Sequence, residues 1–219
     1  MYYSQSQEDI FLNENIFKNK RNGTYIELGA LDGVLYSNTK FFEDMLGWKG
    51  ILIEPHPYAF SLLEKNRPNN YLFNNLVSCY KEPLEFKYFT HTHFIAVSGV
   101  CNTLPQSHLN KWFNNYENAP VSQDTILLNP ISLTEIVKKT DLSHINLLSL
   151  DVEGHEYEVL KSWDFSVPID VILIEMLGEN TEIEIEKERE QKCREILLNN
   201  NYKLFEKTKS NEFYILNEL

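Results

Sequence analysis

Apolar residues follow two alternating patterns along this chain. Short, nearly unbroken runs occur at Tyr25 to Leu28 (around a single Glu27), Ile51 to Ile53, Ile145 to Leu150 and Val171 to Ile174. Such runs read as strands buried on both faces, as parallel strands are. Between them, apolar residues recur every three or four positions. Phe41, Phe42, Met45 and Leu46 do so, as do Phe60, Leu62 and Leu63, then Val159, Leu160 and Trp163, then Cys193, Ile196 and Leu197. That spacing lines one face of a helix. Gly47, Pro55 and Pro68 punctuate the segments. Ser6 with Asp9 reads as a helix start before Ile10 and Phe11, and Ser132 with Glu135 as a capping box. Strands alternating with helices predict an α/β class: a mostly parallel sheet with helices on both faces. Two last strands, Tyr202 to Phe205 and Phe213 to Leu216, are joined by a short polar turn and must be antiparallel.

The middle of the chain is less regular. Tyr71 to Val77 reads as a third strand and Leu84 to Phe89 as a fourth, at the edge of the sheet. From residue 90 to 125 the pattern breaks down, around His91, His93, Trp112 and Pro120. A segment of that length inside a compact domain is usually functional. It is expected to cover a substrate, with a short helix near Gln106 to Tyr116 and with His91 and His93 as surface residues. The whole, 1–219, reads as a single domain with an N-terminal helical segment at 1–22.

Composition narrows the partners. In 219 residues, 20 Lys and Arg face 32 Asp and Glu, a formal charge of -12. That balance gives no long-range attraction for nucleic acid or an anionic membrane and favours a neutral or cationic substrate. Cys79, Cys101 and Cys193 are widely spaced, with no Cys-x-x-Cys and no zinc spacing, so three free thiols in a reducing compartment are expected. No apolar run nears the roughly 18 residues of a membrane span. The start of the chain does not read as a signal peptide. A cytoplasmic protein is the expectation.

The candidate chemistry centres on Thr24 to Gly33. A strand, a glycine turn and a helix in that order make the ligand-facing corner of an open α/β sheet. The spacing Gly29-x-x-x-Gly33 is not the Gly-x-Gly-x-x-Gly of dinucleotide sites, which disfavours a nicotinamide dehydrogenase. Glu27, inside the strand end, would repel a pyrophosphate. A cofactor with positive charge and no phosphate fits better, and S-adenosylmethionine is one. The two glycines alone also fit a plain tight turn. Glu54 follows the second strand where an acid holds ribose hydroxyls in nucleoside-binding sheets. Glu27, Glu54, Asp151 and Glu175 all fall at the ends of apolar strands. Four buried carboxylates are costly unless they serve something.

The chain resembles the FkbM family of S-adenosylmethionine-dependent methyltransferases. The matching pieces are Ser4 to Asp9, Tyr25 to Gly33 with Ser37-Asn38-Thr39, Gly47 to Pro55, Asn66 to Asn69 and, most distinctively, Leu148 to Glu156 with its Asp-Val-Glu-Gly. The resemblance implies a Rossmann-like methyltransferase fold that ends in an antiparallel strand. It implies that Glu27, Gly29, Asp32 and Gly33 surround the methionine part of the cofactor, with Gln7, Ala30, Ser37 and Asn38 from the same pieces. Glu54 would take the ribose, with Pro55 beside it, and Val77 and Ser78 would lie near the adenine. Asp151 and Glu153 would face the reaction centre. Such enzymes methylate hydroxyls of sugars, glycans or natural products.

Transfer to a hydroxyl needs a base. His155 has the suitable intrinsic pKa, and Asp151, Glu153 and Glu175 would serve if burial raised theirs. Related macrocin-type enzymes suggest Mg²⁺ or Mn²⁺ on Asp151 and Glu175 instead. Glu175, however, is followed by Met176 rather than a second acid, so a metal-free route is favoured. A module that binds the cofactor without catalysis, inside a larger assembly, is the rival reading.

Overall fold

In the computed structural model, which describes residues 1–90, 92–114, 122–176 and 183–217, the apolar runs form the centre of one twisted sheet. The chain begins with α1 (Glu8–Phe11), continued by a π-helical turn over Leu12–Phe17. The helix starts after Gln7, which makes no side-chain cap, and it is Ser4 rather than Ser6 that bonds Asp9. The Ser4 hydroxyl donates to Asp9 Oδ1 at 2.6 Å, and the Asp9 backbone N–H donates back to the Ser4 oxygen at 3.2 Å. β1 (Thr24–Leu28), α2 (Lys40–Leu46), β2 (Lys49–Ile53), α3 (Pro57–Asn66) and β3 (Tyr71–Phe73) then form two consecutive parallel crossovers. After an intervening segment the pattern resumes with α5 (Leu133–Val137), β7 (Ile145–Leu150), α6 (Glu156–Lys161), β8 (Ile169–Glu175) and α7 (Glu184–Asn199). β9 (Tyr202–Lys207) and β10 (Asn211–Leu216) finish it.

The sheet order is β3-β2-β1-β7-β8-β10-β9. β10 runs antiparallel to both neighbours, and the first five strands of that order are parallel. Alternation along the strands explains the two-sided burial. Ile26, Leu28, Ile51, Ile53, Leu148, Leu150, Ile172 and Ile174 enter one core, while Tyr25, Leu52, Leu147, Val171 and Leu173 enter the other. Each such side chain contributes about 1.5–3 kcal/mol on full burial. Both faces are therefore fixed, and a register slip of one residue would exchange them.

The segment between β3 and α5 departs from expectation. β4 (Leu84–Phe89) is not an edge strand of the main sheet. It is the centre of a separate antiparallel sheet, between β5 (Gly99–Val100) and β6 (Gln123–Leu128). The reason lies in its pattern: Leu84 and Phe86 are buried while Glu85 between them is exposed, so the face opposite them is polar until Phe89 at the strand's end. A one-faced strand suits an antiparallel sheet over a small core, here Leu76 and Val100. A 3₁₀ helix over Thr92–Val97 precedes β5. α4 (Gln106–His108) passes into a π-helical turn over Leu109–Asn114. The expected helix at Gln106 is present, and its far end at Tyr116 lies outside the described residues, as does His91. The capping box at Ser132 and Glu135 is formed.

Candidate active site

The register fixes the site before any side chain is considered. Leu28 pairs with Ile53 and with Leu150, and Leu150 pairs with Ile174. The next residues, Gly29, Glu54, Asp151 and Glu175, therefore lie in one row along the carboxyl ends of the strands. The chain order reverses between β1 and β7, and open α/β sheets place their ligand crevice at such a reversal. A cavity of about 680 Å³ opens there, with all four residues on its wall together with Glu27 and Glu153. That volume lies within the range of small-molecule sites.

Glu54 is buried. Its Oε2 accepts from the Leu31 N–H at 2.9 Å and its Oε1 from the His56 N–H at 2.7 Å. Burial nevertheless pushes its pKa up to about 7. Pro55, Asn75 and the apolar pair Leu76 and Val77 lie on the same wall. Glu27 is buried too, but its oxygens are engaged by Ser37 Oγ, Asn38 N and Thr39 Oγ1, at 2.6 to 3.1 Å. The wholly buried Arg67 guanidinium, 3.9 Å away, also donates to the Gly33 carbonyl and to Tyr25, and pairs with Glu43. Burial raises the Glu27 pKa, and the Arg67 charge opposes the rise. Glu27 thus braces the 37–39 segment and presents charge rather than empty lone pairs to the cavity.

Several residues of the glycine-turn piece sit elsewhere. Asp32 accepts from the Val34 and Leu35 N–H groups and closes its own turn. A Cβ on Gly33 would press on Leu63 and Arg67 at 2.6 Å, so this glycine serves packing on α3. Ala30 is buried under the turn. Ser37 bonds Glu27 out of reach of the cavity, and only Asn38 lines it. Gln7 is exposed at the start of α1 with φ 70°, and it is Gln5 that reaches the wall. Gly29 faces the cavity, yet a Cβ there would meet the Asp151 carbonyl oxygen at 1.9 Å, with φ at +77°. The close approach of β1 to β7 already demands this glycine.

The reactive candidates cluster after β7. Oxygens of Asp151, Glu153 and Glu175 lie within 4.8 Å of one another. Asp151 is exposed to the cavity and shares a hydrogen bond with Glu175. The Glu175 Oε2 is buried with no partner among the described residues. Desolvation raises both carboxyl groups well above the usual carboxylate range, with repulsion from Glu153 adding to the rise of Asp151 and repulsion from Asp151 and Glu153 to that of Glu175. Glu156 backs the turn. Its Oε1 accepts from the Val152 and Gly154 N–H groups, and burial lifts its pKa to about 8.

His155 does not fit the base expected of it. It is buried, its Nε2 lies 3.1 Å from Ser78 Oγ and its Nδ1 3.0 Å from Thr103 Oγ1. Desolvation and the nearby Arg189 charge push its pKa down to about 3. It is a neutral tie between three segments. Ser78 is consumed in that tie and does not line the cavity, whereas Val77 does.

The other wall was not foreseen in detail. Phe94, Ile95, Val97, His108, Lys111 and Trp112 supply it from the 3₁₀ helix and the helix beginning at Gln106. The Phe94 and Trp112 rings lie 6.5 Å apart at 63°, and the Lys111 ammonium stands 4.5 Å from the Trp112 ring centroid. An aromatic-rich irregular segment was the available signal. Nothing in it told which side chains turn inward.

A profile described as the methyltransferase FkbM domain matches residues 27–204. The chain belongs to this family of S-adenosylmethionine-dependent methyltransferases. No curated protein matches the sequence. Among solved structures, fibrillarin from Aeropyrum pernix, in complex with natively bound S-adenosyl-L-methionine, is similar at a TM-score of 0.50 and 10% identity, over 97% of this chain and 74% of that one. The similarity shows the fold. TrmK of M. capricolum, in complex with S-adenosyl-homocysteine, is similar at 0.40 and 10% identity, over 90% of this chain and 63% of its own. The N-terminal domain of human METTL16 follows at 0.42 and 11%, over 95% and 65%.

Proposed function

We propose that this protein methylates a hydroxyl of a sugar, a glycan or a related natural product. One observation carries the reading: Asp151 and Glu175, with raised proton affinity, meet at the strand reversal in a cavity whose other wall is aromatic. The donor set suits S-adenosylmethionine. Glu54 offers acceptors for ribose hydroxyls beside Pro55, and Leu76 and Val77 form a dry strip for a flat ring. The wall's carboxylates complement a sulfonium and an ammonium. When bound, the cofactor supplies a methyl group already activated on sulfur. The chain's own tasks are to hold the acceptor oxygen in line and to take its proton.

A carboxylate of the Asp151–Glu175 pair suits the proton step, because its affinity sits nearer neutrality than an ordinary carboxylate's. Phe94 and Trp112 suit the apolar face of a sugar ring, with Lys111 beside them for a polar substituent. A formal charge of -12 supports an acceptor that is not nucleic acid. Cys79, Cys101 and Cys193 are all free thiols, which supports a reducing compartment, the cytoplasm. No helix of the described residues is long and apolar enough to cross a membrane.

The test is incubation with S-adenosylmethionine and a panel of rhamnose-, amino-sugar- and polyketide-based acceptors. S-adenosylhomocysteine release should accompany gain of one methyl ether on the acceptor. Cofactor binding without turnover on any acceptor would favour the non-catalytic module. A second reading follows from the three carboxylates within 4.8 Å: a divalent ion held by Asp151 and Glu175. Hard oxygen donors suit Mg²⁺ or Mn²⁺. Turnover that survives EDTA supports the metal-free base. Turnover abolished by EDTA and restored by Mg²⁺ supports the ion.

A further inference from the structure

The aromatic wall is stitched to the turn after β7 at three points. Thr103 meets His155 at 3.0 Å. A Cβ on Gly99 would lie 3.4 Å from Glu153 Cβ. His108, buried, places Nδ1 3.1 Å from Glu153 Oε2 while its Nε2–H donates to the Val97 carbonyl at 2.9 Å. The turn that receives these contacts is unusual. Glu153 has φ +55° and Gly154 φ +94°, and a Cβ on Gly154 would come 2.7 Å from the Thr103 carbonyl. A non-glycine residue holds a left-handed conformation only where its surroundings over-determine it, and such residues gather at functional sites.

Glu153 needs that support. Its carboxyl group lies within 4.8 Å of those of Asp151 and Glu175, and acidic groups so close together repel whenever they are ionised. His108 is a basic side chain that touches this group from the opposite wall. With its Nε2–H committed to the Val97 carbonyl, His108 Nδ1 meets Glu153 Oε2 across a shared proton, a contact between a base and an acid.

We propose that His108 is a positioning residue for methyl transfer: it fixes the Glu153 carboxylate beside Asp151 and Glu175 and so couples the acceptor-side wall to the proton-handling group. This rests on the functional reading above, in which that group serves the acceptor hydroxyl. His108 touches no reacting atom. Its effect passes through Glu153.

A double-mutant cycle tests it. His108→Gln and Glu153→Gln should each lower kcat about tenfold, with S-adenosylhomocysteine affinity and Tm close to wild type. The double variant should be no slower than Glu153→Gln alone. His108→Gln at wild-type kcat, or losses that multiply in the double variant, would overturn the proposal. His108→Asn, which keeps a donor near the Nδ1 position, should recover part of the loss if His108→Gln is poorly folded. One readout needs no turnover. In ¹⁵N-labelled protein the His108 Nδ1 proton should appear downfield and protected from exchange, and should vanish in Glu153→Gln. If the wild type methylates no sugar, the functional reading fails on its own, while this signal still decides whether the pair exists. A wild type without the signal, or one unchanged by Glu153→Gln, removes the pair.

Discussion

The two walls of the cavity are built by different means. The sheet wall is a consequence of register. Once Leu28, Ile53, Leu150 and Ile174 are buried in one row, the residues that follow them must emerge together. The other wall has no ladder to order it. A 3₁₀ helix and a helix that turns π-helical are held by side-chain contacts of long reach, such as His108 to Glu153 and Thr103 to His155. On the function proposed above, the first wall holds the cofactor and the proton-handling pair, and the second meets the acceptor. Substitutions on the two walls should therefore fail differently, by folding or chemistry on one and by acceptor recognition on the other.

The largest effect is expected at Gly29. A side chain there meets the Asp151 carbonyl at 1.9 Å and must also adopt φ +77°, so Gly29→Val should lose on the order of 3 kcal/mol of stability. A thermal melt reads this directly. A variant that melts like wild type but loses S-adenosylhomocysteine binding would return the glycine to a purely cofactor-facing role. Next comes Asp151→Asn, which should cut turnover about 10²-fold while cofactor affinity changes little. Wild-type turnover should also fall on the acid side of about pH 7 rather than near pH 4. The raised affinity keeps the pair protonated to higher pH, and a protonated carboxyl takes no proton. A pH–rate profile flat down to pH 5 would remove the pair from the mechanism.

The contrast between the walls is also a contrast in what sequence can show. The strands, their two-sided burial and the row of acids follow from local pattern plus the chemistry of parallel sheets, so Glu54, Asp151 and Glu175 could be placed at strand ends from the sequence alone. Glu27 could be placed but not its engagement, because that depends on the 37–39 segment folding back onto it and on Arg67 arriving from the end of α3. His155 had the right residue type for a base and the wrong surroundings: Ser78 and Thr103 reach it from distant parts of the chain. β4 was visible as a strand, but its sheet was not, because strand pairing is a long-range choice. Residues 92–114 kept their contacts hidden for the same reason.

A smaller effect belongs to Glu54. Removing its carboxylate takes away acceptors for the ribose and leaves the Leu31 and His56 N–H groups without their partner. Glu54→Ala should weaken S-adenosylhomocysteine by roughly 1.5–3 kcal/mol, about ten- to a hundredfold, by calorimetry. Binding as tight as wild type would move the ribose off this strand end. Either result sharpens the division, since no change in acceptor preference is expected from this wall.

The smallest effect is expected at Trp112, on the other wall. Its ring is half-buried, packs at an angle to Phe94 and borders the cavity, while the adjacent Phe113 anchors the segment in the small core with Phe89 and Leu104. Trp112→Ala should therefore leave the sheet wall and its cofactor groups in place. What it removes is a flat apolar surface against which a sugar ring can lie, with aromatic contacts of this kind contributing about 0.5–1.5 kcal/mol. The expected result is a KM for the acceptor raised from about twofold to tenfold, with kcat and S-adenosylhomocysteine affinity close to wild type. Trp112→Phe should restore most of the loss, since it keeps a ring. Steady-state kinetics with acceptor varied at saturating cofactor separates these quantities. A kcat loss as large as that of Asp151→Asn, with KM unchanged, would mean that Trp112 acts on the chemistry and that the two walls do not divide the work.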